Sequence, residues 1–191
     1  MDLRNLIKEQ FKIVLSEQTL HNTIFNNNFW KWFGNSKVSE NGTPLICYHG
    51  TKDASINKFD ISKAGSNTDS GMWGKGFYFT SYKKYADTYN RNKDGGGRTF
   101  SVFLSIKNPL MINDKKDIPK INIPNKTIED MRNAPFAYSN MFRDWLIENG
   151  HDGVIDSLSP TTKQYVALYP NQIKSIENDG SWDVNDNNIY S

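Results

Sequence analysis

Residues 44–51 read Pro-Leu-Ile-Cys-Tyr-His-Gly-Thr. The apolar run over 44–49 follows the turn residues Glu40-Asn41-Gly42 and predicts a β-strand that leads into Gly50. A polar loop over 52–72 comes next. Taken alone, a histidine at the end of a strand is more often a structural residue than a site residue. Functional side chains nevertheless concentrate at strand ends and on loops, so His49 is a candidate.

Two further stretches have the same character. Residues 74–80, Gly-Lys-Gly-Phe-Tyr-Phe-Thr, predict a short aromatic strand, and residues 164–169, Gln-Tyr-Val-Ala-Leu-Tyr, predict a strand that stops before Pro170. By default Tyr78 is a core residue and Gln164 an edge residue. Because all three strands place polar groups at their ends, the joint pattern predicts one pocket shared by His49, Tyr78 and Gln164.

The rest of the chain predicts an α+β fold. Further strands are expected over 99–106 and 153–156 and helices over 82–89 and 138–148, with two more helices between Leu3 and Phe33. The polar segment from Glu177 is expected to be mobile. Three parts follow from this reading: an N-terminal helical extension (1–36), a catalytic-sized domain (37–177) and a polar C-terminal tail (178–191).

Composition limits the possible classes of function. The chain has 191 residues, enough for one compact domain, with 37% hydrophobic and 13% aromatic residues to build a core and line a cleft. The net charge of +2 indicates no large patch for capturing polyanions. The single cysteine, Cys47, excludes an internal disulfide and is expected in the core. Without a leader or an apolar span, we expect a cytoplasmic protein that does not bind membranes.

The three strand segments resemble the catalytic domain of poly(ADP-ribose) polymerase and diphtheria-toxin-like ADP-ribosyltransferases, whose triad is His-Tyr-Glu. The resemblance covers roughly Leu45 to Ile176 and rests on residues 48–51, 74–80 and 163–173. Residues 29–51 and 150–155 also look like the transferase domains of phage and prophage polyvalent proteins. The implied fold is α+β, with two packed, mostly antiparallel sheets, flanking helices and an N-terminal helical extension.

The resemblance also implies how NAD+ binds as a substrate. His49 would hydrogen-bond the ribose of the adenosine half, and the backbone of Gly50 would hold the nicotinamide carboxamide. Tyr78 and Tyr89 would sandwich the nicotinamide ring and align its glycosidic bond for attack. Neither a metal nor a second cofactor is required. The residues assigned to NAD+ binding are His49, Gly50, Thr51, Tyr78, Ala86 and Tyr89.

The implied catalytic residues are His49, Tyr78 and Gln164, and the last departs from the family pattern. An amide keeps the hydrogen bond to the ribose but cannot supply the negative charge of the usual glutamate, a loss of about 2–4 kcal/mol of electrostatic help. Glu177, Asp156 and Asp152 are candidate replacements for that charge. The alternatives are a slow mono-transferase, a transferase with an already nucleophilic acceptor, and a pseudoenzyme that only binds NAD+ or ADP-ribose.

The expected function is transfer of ADP-ribose to a host macromolecule, a protein in the first instance and nucleic acid as the alternative. Acceptor choice would rest on the loops 52–72 and 114–134. Two rivals stay open, an NAD+ glycohydrolase and a binding module. Outside the triad, three basic side chains are candidates for the pyrophosphate, namely Lys52, Lys75 and Arg98. In the binding module, four aromatic side chains would dock a partner, namely Phe25, Phe29, Trp30 and Trp32.

Overall fold

The computed structural model describes residues 24–64, 71–91, 96–120, 130, 135–159 and 161–191. The first of the two helices expected between Leu3 and Phe33 lies outside the described residues, as do parts of the two acceptor loops. The helices are α1 (Asn27–Phe33), α2 (Lys83–Ala86) and α3 (Pro135–Glu148). The strands are β1 (Ser39–Glu40), β2 (Thr43–Pro44), β3 (Cys47–Thr51), β4 (Phe77–Thr80), β5 (Arg98–Leu104), β6 (Pro109–Ile112), β7 (Gly153–Asp156), β8 (Gln164–Ala167) and β9 (Ile173–Ser175).

Seven of these strands form one sheet in the order β6-β7-β8-β4-β3-β5-β9, and β1 pairs with β2 in a small hairpin. Neighbours in the large sheet are antiparallel except β6 and β7. Strands β3 and β4 pair at one position, Tyr48 opposite Thr80, whereas β3 pairs with β5 along its whole length. The α+β class with mostly antiparallel strands is therefore confirmed. Strands β6, β7, β8 and β4 form one half of the large sheet, and β3, β5 and β9 form the other. Among the described residues, strand pairing joins the two halves only at Tyr48 and Thr80, and the candidate site lies beside this split.

The side chains of the sheet alternate between two cores. Ile155, Tyr165 and Phe79 belong to a core on one face, together with the buried Cys47. Val154 and Val166 belong to a core on the other face, which α3 covers with Phe142 and Leu146. This alternation follows from the period of two in a β-strand. Residues that pair across neighbouring strands lie on the same face of the sheet. The pairing register of a strand therefore decides on which face each of its site residues lies.

Helix α1 packs most of its aromatic side chains into a third core. The Asn26 side chain accepts a hydrogen bond from the backbone N–H of Phe29 and caps the helix. Phe29 and Trp32 are buried against Phe103 of β5 and against Trp182. The predicted docking role of these aromatic residues is wrong for Phe29 and Trp32, which stabilise the fold instead.

Phe25 packs edge-on against Phe29 and Phe103, so it too contributes to this third core. Trp30 contacts the Phe25 and Phe29 rings but keeps 44% of its surface exposed. Of the four aromatic residues considered for docking, Trp30 is the one whose side chain is largely open to solvent.

The C-terminal segment is ordered, so the expectation of a mobile tail is wrong. Trp182 and Ile189 are buried in two different cores. The buried ammonium of Lys174 donates hydrogen bonds to the carbonyls of Asp186 and Asn188, and burial lowers its pKa. Two widely spaced apolar residues and one lysine therefore fix a segment whose composition is polar. The division into 1–36, 37–177 and 178–191 stays a prediction.

Candidate active site

A cleft of about 550 Å³ opens beside the split between β3 and β4. That volume lies within the range of small-molecule sites in proteins. Its walls come from β3, β4, the start of β8, helix α2 and the loop after β3. The structure brings all seven predicted site residues to this one cleft: His49, Gly50, Thr51, Tyr78, Ala86, Tyr89 and Gln164.

His49 spans the split. Its ring Nδ1 lies 2.8 Å from the backbone carbonyl oxygen of Tyr78, so this nitrogen carries a proton and donates it to the carbonyl. Phe59 and Phe79 pack against the ring. Burial lowers the pKa of His49, and the hydrogen bond to Tyr78 opposes that effect in part. The ring is therefore neutral at pH 7, and Nε2 is left as a hydrogen-bond acceptor.

The Tyr78 side chain is held by its hydroxyl. The hydroxyl donates to the carbonyl of Gly74 and accepts from the backbone N–H of Trp73. Gly71, at a φ of +74°, lies against the ring so closely that a Cβ at this position would come 2.0 Å from the ring carbon that bears the hydroxyl. The short loop before β4 thereby fixes the aromatic ring at the cleft.

Helix α2 packs directly onto β3 through Gly50. A Cβ at Gly50 would come 1.8 Å from the backbone oxygen of Ala86, so only glycine fits there. This contact places Tyr89, which follows α2, at the cleft. Its hydroxyl lies 3.0 Å from the Tyr85 hydroxyl, and the two rings meet edge to face. The pair forms an aromatic rim on the cleft.

Gln164 begins β8 and lies between two other strands. It is opposite Thr80 of β4 and opposite Asp156 of β7. Directly opposed residues of antiparallel strands point to the same face, so the three side chains form a row. Gln164 is partly exposed at the cleft. Within the described ranges, its carboxamide makes no hydrogen bond to another side chain or to the backbone.

Comparisons with known proteins bear on the class of protein to which the chain belongs. A family model described as ADP-ribosyltransferase in polyvalent proteins matches residues 39–183, more than half of the chain. The chain belongs to this ADP-ribosyltransferase family. A comparison with curated proteins gives no significant match. Membership identifies the protein as a transferase that acts on NAD+, and it confirms the resemblance that the sequence showed.

Two of the carboxylates considered as replacements for the usual glutamate lie in other parts of this ADP-ribosyltransferase. Glu177 forms a two-pronged ion pair with Arg98, at 2.9 and 3.0 Å. Asp152 accepts the backbone N–H groups of Lys107 and Asn108 at the start of β6. Neither lines the cleft, so the suggestion was wrong for both. Asp156 does not line the cleft either, but it remains a candidate because it lies directly opposite Gln164 in the sheet.

Of the basic residues considered for the pyrophosphate, Lys52 lines the cleft of the transferase. Arg98 does not, because Glu177 and the Tyr190 hydroxyl hold its guanidinium elsewhere, and Lys75 does not line it either. Sequence reasoning missed Lys58, Lys63 and Phe59 of the loop after β3. The one available sign was Phe59, the single aromatic residue between positions 52 and 72.

Within the described ranges, no group of three or more His, Cys, Asp or Glu side chains is placed to hold a metal ion. None of the described helices is both long and apolar enough to span a membrane. Cys47 is buried in the core, and burial raises the pKa of its thiol, so it is inert as a nucleophile.

Proposed function

We propose that the protein transfers single ADP-ribose units from NAD+ to a host macromolecule, with His49, Tyr78 and Gln164 around the reacting sugar. The observation that carries this proposal is the convergence of the seven predicted residues on one cleft of suitable size. The family assignment supplies the general reaction. The host macromolecule is a protein in this proposal, and the reaction takes place in the cytosol of a bacterium that carries the phage or prophage gene.

The cleft offers partners for the adenosine ribose and for the nicotinamide of NAD+. The neutral His49 ring has Nε2 free to accept a hydrogen bond from a hydroxyl of the adenosine ribose. Gly50 lines the cleft, and its backbone would pair with the nicotinamide carboxamide. Tyr78 and Tyr89 supply two aromatic rings for the nicotinamide. Thr51 and Ala86 lie beside these groups in the lining of the cleft.

The reaction breaks the bond between C1′ of the ribose and N1 of nicotinamide. The bonding electron pair leaves with nicotinamide, which departs neutral, and C1′ develops oxocarbenium character. A lone pair of the acceptor then forms the new bond to C1′, and the acceptor proton passes to solvent. The Gln164 carboxamide would hold a hydroxyl of the reacting ribose, as the glutamate of related enzymes does. The products are nicotinamide, a proton and the ADP-ribosylated acceptor.

Gln164 also restricts the product to one unit. Chain elongation requires a base that activates the ribose hydroxyl of the growing end, and a carboxamide is a poor base. The same residue favours one second candidate. A binding module that holds NAD+ or ADP-ribose without cleaving it would need the hydrogen bond of Gln164 but not a negative charge.

The test is incubation of the protein with a host lysate and NAD+ labelled in the adenylate half. Labelled protein, labelled nucleic acid and free ADP-ribose are then separated. The proposal predicts label on protein, whereas label on nucleic acid corrects the acceptor and free ADP-ribose alone indicates a glycohydrolase. Label in no fraction, together with calorimetric binding of NAD+, supports the binding module and contradicts the proposal.

Two tyrosine variants provide a matched control. Tyr89 and Tyr169 have 40% and 38% of their surface exposed, but only Tyr89 lines the cleft. Tyr89→Ala should lower the labelling at NAD+ concentrations below the Kd, and Tyr169→Ala should retain it. Equal labelling by both variants would show that the modification does not arise in this cleft.

A further inference from the structure

We propose that Asp156 supplies, from behind Gln164, the negative charge that the cleft needs and that the carboxamide lacks. This inference rests on the proposed function. Asp156 does not line the cleft and so does not touch NAD+. It is a positioning residue whose charge acts through its place next to Gln164.

The sheet register places the two side chains together. Asp156 is directly opposite Gln164 on β7 and β8, so both point to the same face. The Cβ atoms of such a pair are about 4.5–5.5 Å apart. Tyr78 and Thr80 of β4 have the same parity as Gln164 in the register of β4 with β8. The Asp156 carboxylate thus lies on the face that presents Tyr78 and Gln164.

The surroundings of Asp156 leave its charge unneutralised. The side chain is 6% exposed, and its two oxygens accept from the indole N–H of Trp73 and the backbone N–H of Leu158, both at 2.9 Å. Both donors are neutral. Among the described residues, no lysine or arginine forms an ion pair with Asp156. A buried charge without a counter-ion acts over a longer range than an exposed one, because water screens it less.

Trp73 connects this carboxylate to the cleft. Its indole N–H donates to Asp156, and its backbone N–H donates to the Tyr78 hydroxyl. The Trp73 side chain itself is buried against Phe142 in the second core. The positions of Asp156 and Tyr78 are therefore set by the same residue. A carboxylate fixed in this way needs no rearrangement when positive charge develops on the ribose.

The same pair gives a physical reason for glutamine at position 164. A glutamate there would place a second carboxylate directly opposite Asp156, and like charges at opposed positions destabilise a sheet. Glutamine keeps the hydrogen bond to the ribose without that repulsion. The negative charge is then supplied from β7, one strand away from the position on β8 where related enzymes have their glutamate.

The experiment measures nicotinamide release and NAD+ binding for the wild type, Asp156→Asn, Gln164→Glu and the double variant. Asp156→Asn should lower kcat on the order of tenfold to a hundredfold and leave the Kd for NAD+ within about twofold. Adding Gln164→Glu to Asp156→Asn should raise kcat at least tenfold over Asp156→Asn alone. The double variant regains one negative charge and has no second carboxylate opposite it to repel that charge. A merely structural role for Asp156 would not be rescued at position 164.

Asp152→Asn is the matched control. Asp152 also accepts two N–H groups with its two oxygens, but it lies at the far end of the β7 segment and outside the cleft. Its loss should lower thermal stability and leave kcat unchanged. The inference is overturned if Asp156→Asn retains the wild-type kcat, if both asparagine variants lose kcat alike, or if the double variant is not rescued.

The Gln164→Glu variant tests the inference even if Asp156→Asn does not fold. The carboxyl introduced at position 164 should titrate above its ordinary pKa of about 4.3 because Asp156 repels its charged form. In this variant the acid limb of the kcat–pH profile should therefore lie above the ordinary glutamate pKa of about 4.3. An acid limb at or below that pH contradicts the inference. A wild-type protein that binds NAD+ but releases no nicotinamide, alone or with host lysate, overturns the proposed function and this inference together.

Discussion

Gly71→Ala should damage the cleft far more than its small size suggests. Gly71 has a φ of +74°, and alanine in that left-handed region costs about 1–2 kcal/mol. In addition, the new Cβ would lie 2.0 Å from the Tyr78 ring carbon that bears the hydroxyl and 2.2 Å from the oxygen. The ring or the loop must therefore move by more than an ångström. Such a shift breaks the hydrogen bonds of the Tyr78 hydroxyl to Gly74 and Trp73.

Each of those two hydrogen bonds contributes about 0.5–1.5 kcal/mol, so Gly71→Ala should cost about 2–5 kcal/mol in total. Gly42→Ala is the matched control, because Gly42 also has a positive φ, +80°, but a Cβ added there would have no other atom within 4 Å. It should cost the backbone strain alone, about 1–2 kcal/mol. The two free energies of unfolding are measured by denaturant titration, and NAD+ affinity is measured by calorimetry.

Gly71→Ala should weaken NAD+ binding at least tenfold because it displaces the Tyr78 ring, and Gly42→Ala should bind as the wild type does. Tyr78→Phe separates the two effects, since it deletes the hydroxyl but keeps the ring. It should lose about 1–3 kcal/mol of stability and retain most of the affinity. Equal stability losses for the two glycine variants, with NAD+ affinity unchanged, would refute the packing of Gly71 on Tyr78.

Three further predictions concern the cleft. Tyr89→Ala should weaken NAD+ binding by about 0.5–1.5 kcal/mol through lost stacking, whereas Tyr169→Ala should not, as calorimetry will show. The lowered pKa of His49 means that the unfolded chain binds a proton as the pH falls below about 6.5 while the native ring stays neutral. The free energy of unfolding should therefore fall as the pH drops below about 6.5, and less steeply in His49→Asn. Modified protein should gain one ADP-ribose mass per site, and polymer ladders on a gel would contradict a mono-transferase.

The sequence predicted the strands that border the cleft because their patterns are local. Residues 74–80 and 164–169 combine an aromatic or β-branched run with glycine or proline at an end, which is enough to set a short strand. The observed strands β4 and β8 both lie entirely within those stretches. The convergence of their ends on one cleft followed from the family pattern.

Other features depend on contacts between distant residues, which no local pattern encodes. The burial of Trp182 against α1 and of Ile189 against the sheet joins residues far apart in the chain. A segment with two isolated apolar residues has no periodicity to predict burial. The placement of Asp156 beside Gln164 likewise arises from the register of β7 with β8. Register is set by the whole sheet and not by either strand alone.

Release of nicotinamide at saturating NAD+ by the wild type, Gln164→Ala and Gln164→Glu shows whether Gln164 holds the reacting ribose. If Gln164 holds the reacting ribose, Gln164→Ala loses about 1–3 kcal/mol of transition-state stabilisation, and its rate falls about 5-fold to 150-fold. Gln164→Glu should keep or exceed the wild-type rate at neutral pH, because it places a charge under the developing oxocarbenium ion. Thermal melting checks that all three proteins are folded. Equal, non-zero rates from all three would contradict the account, since Gln164 would then lie away from the reacting sugar.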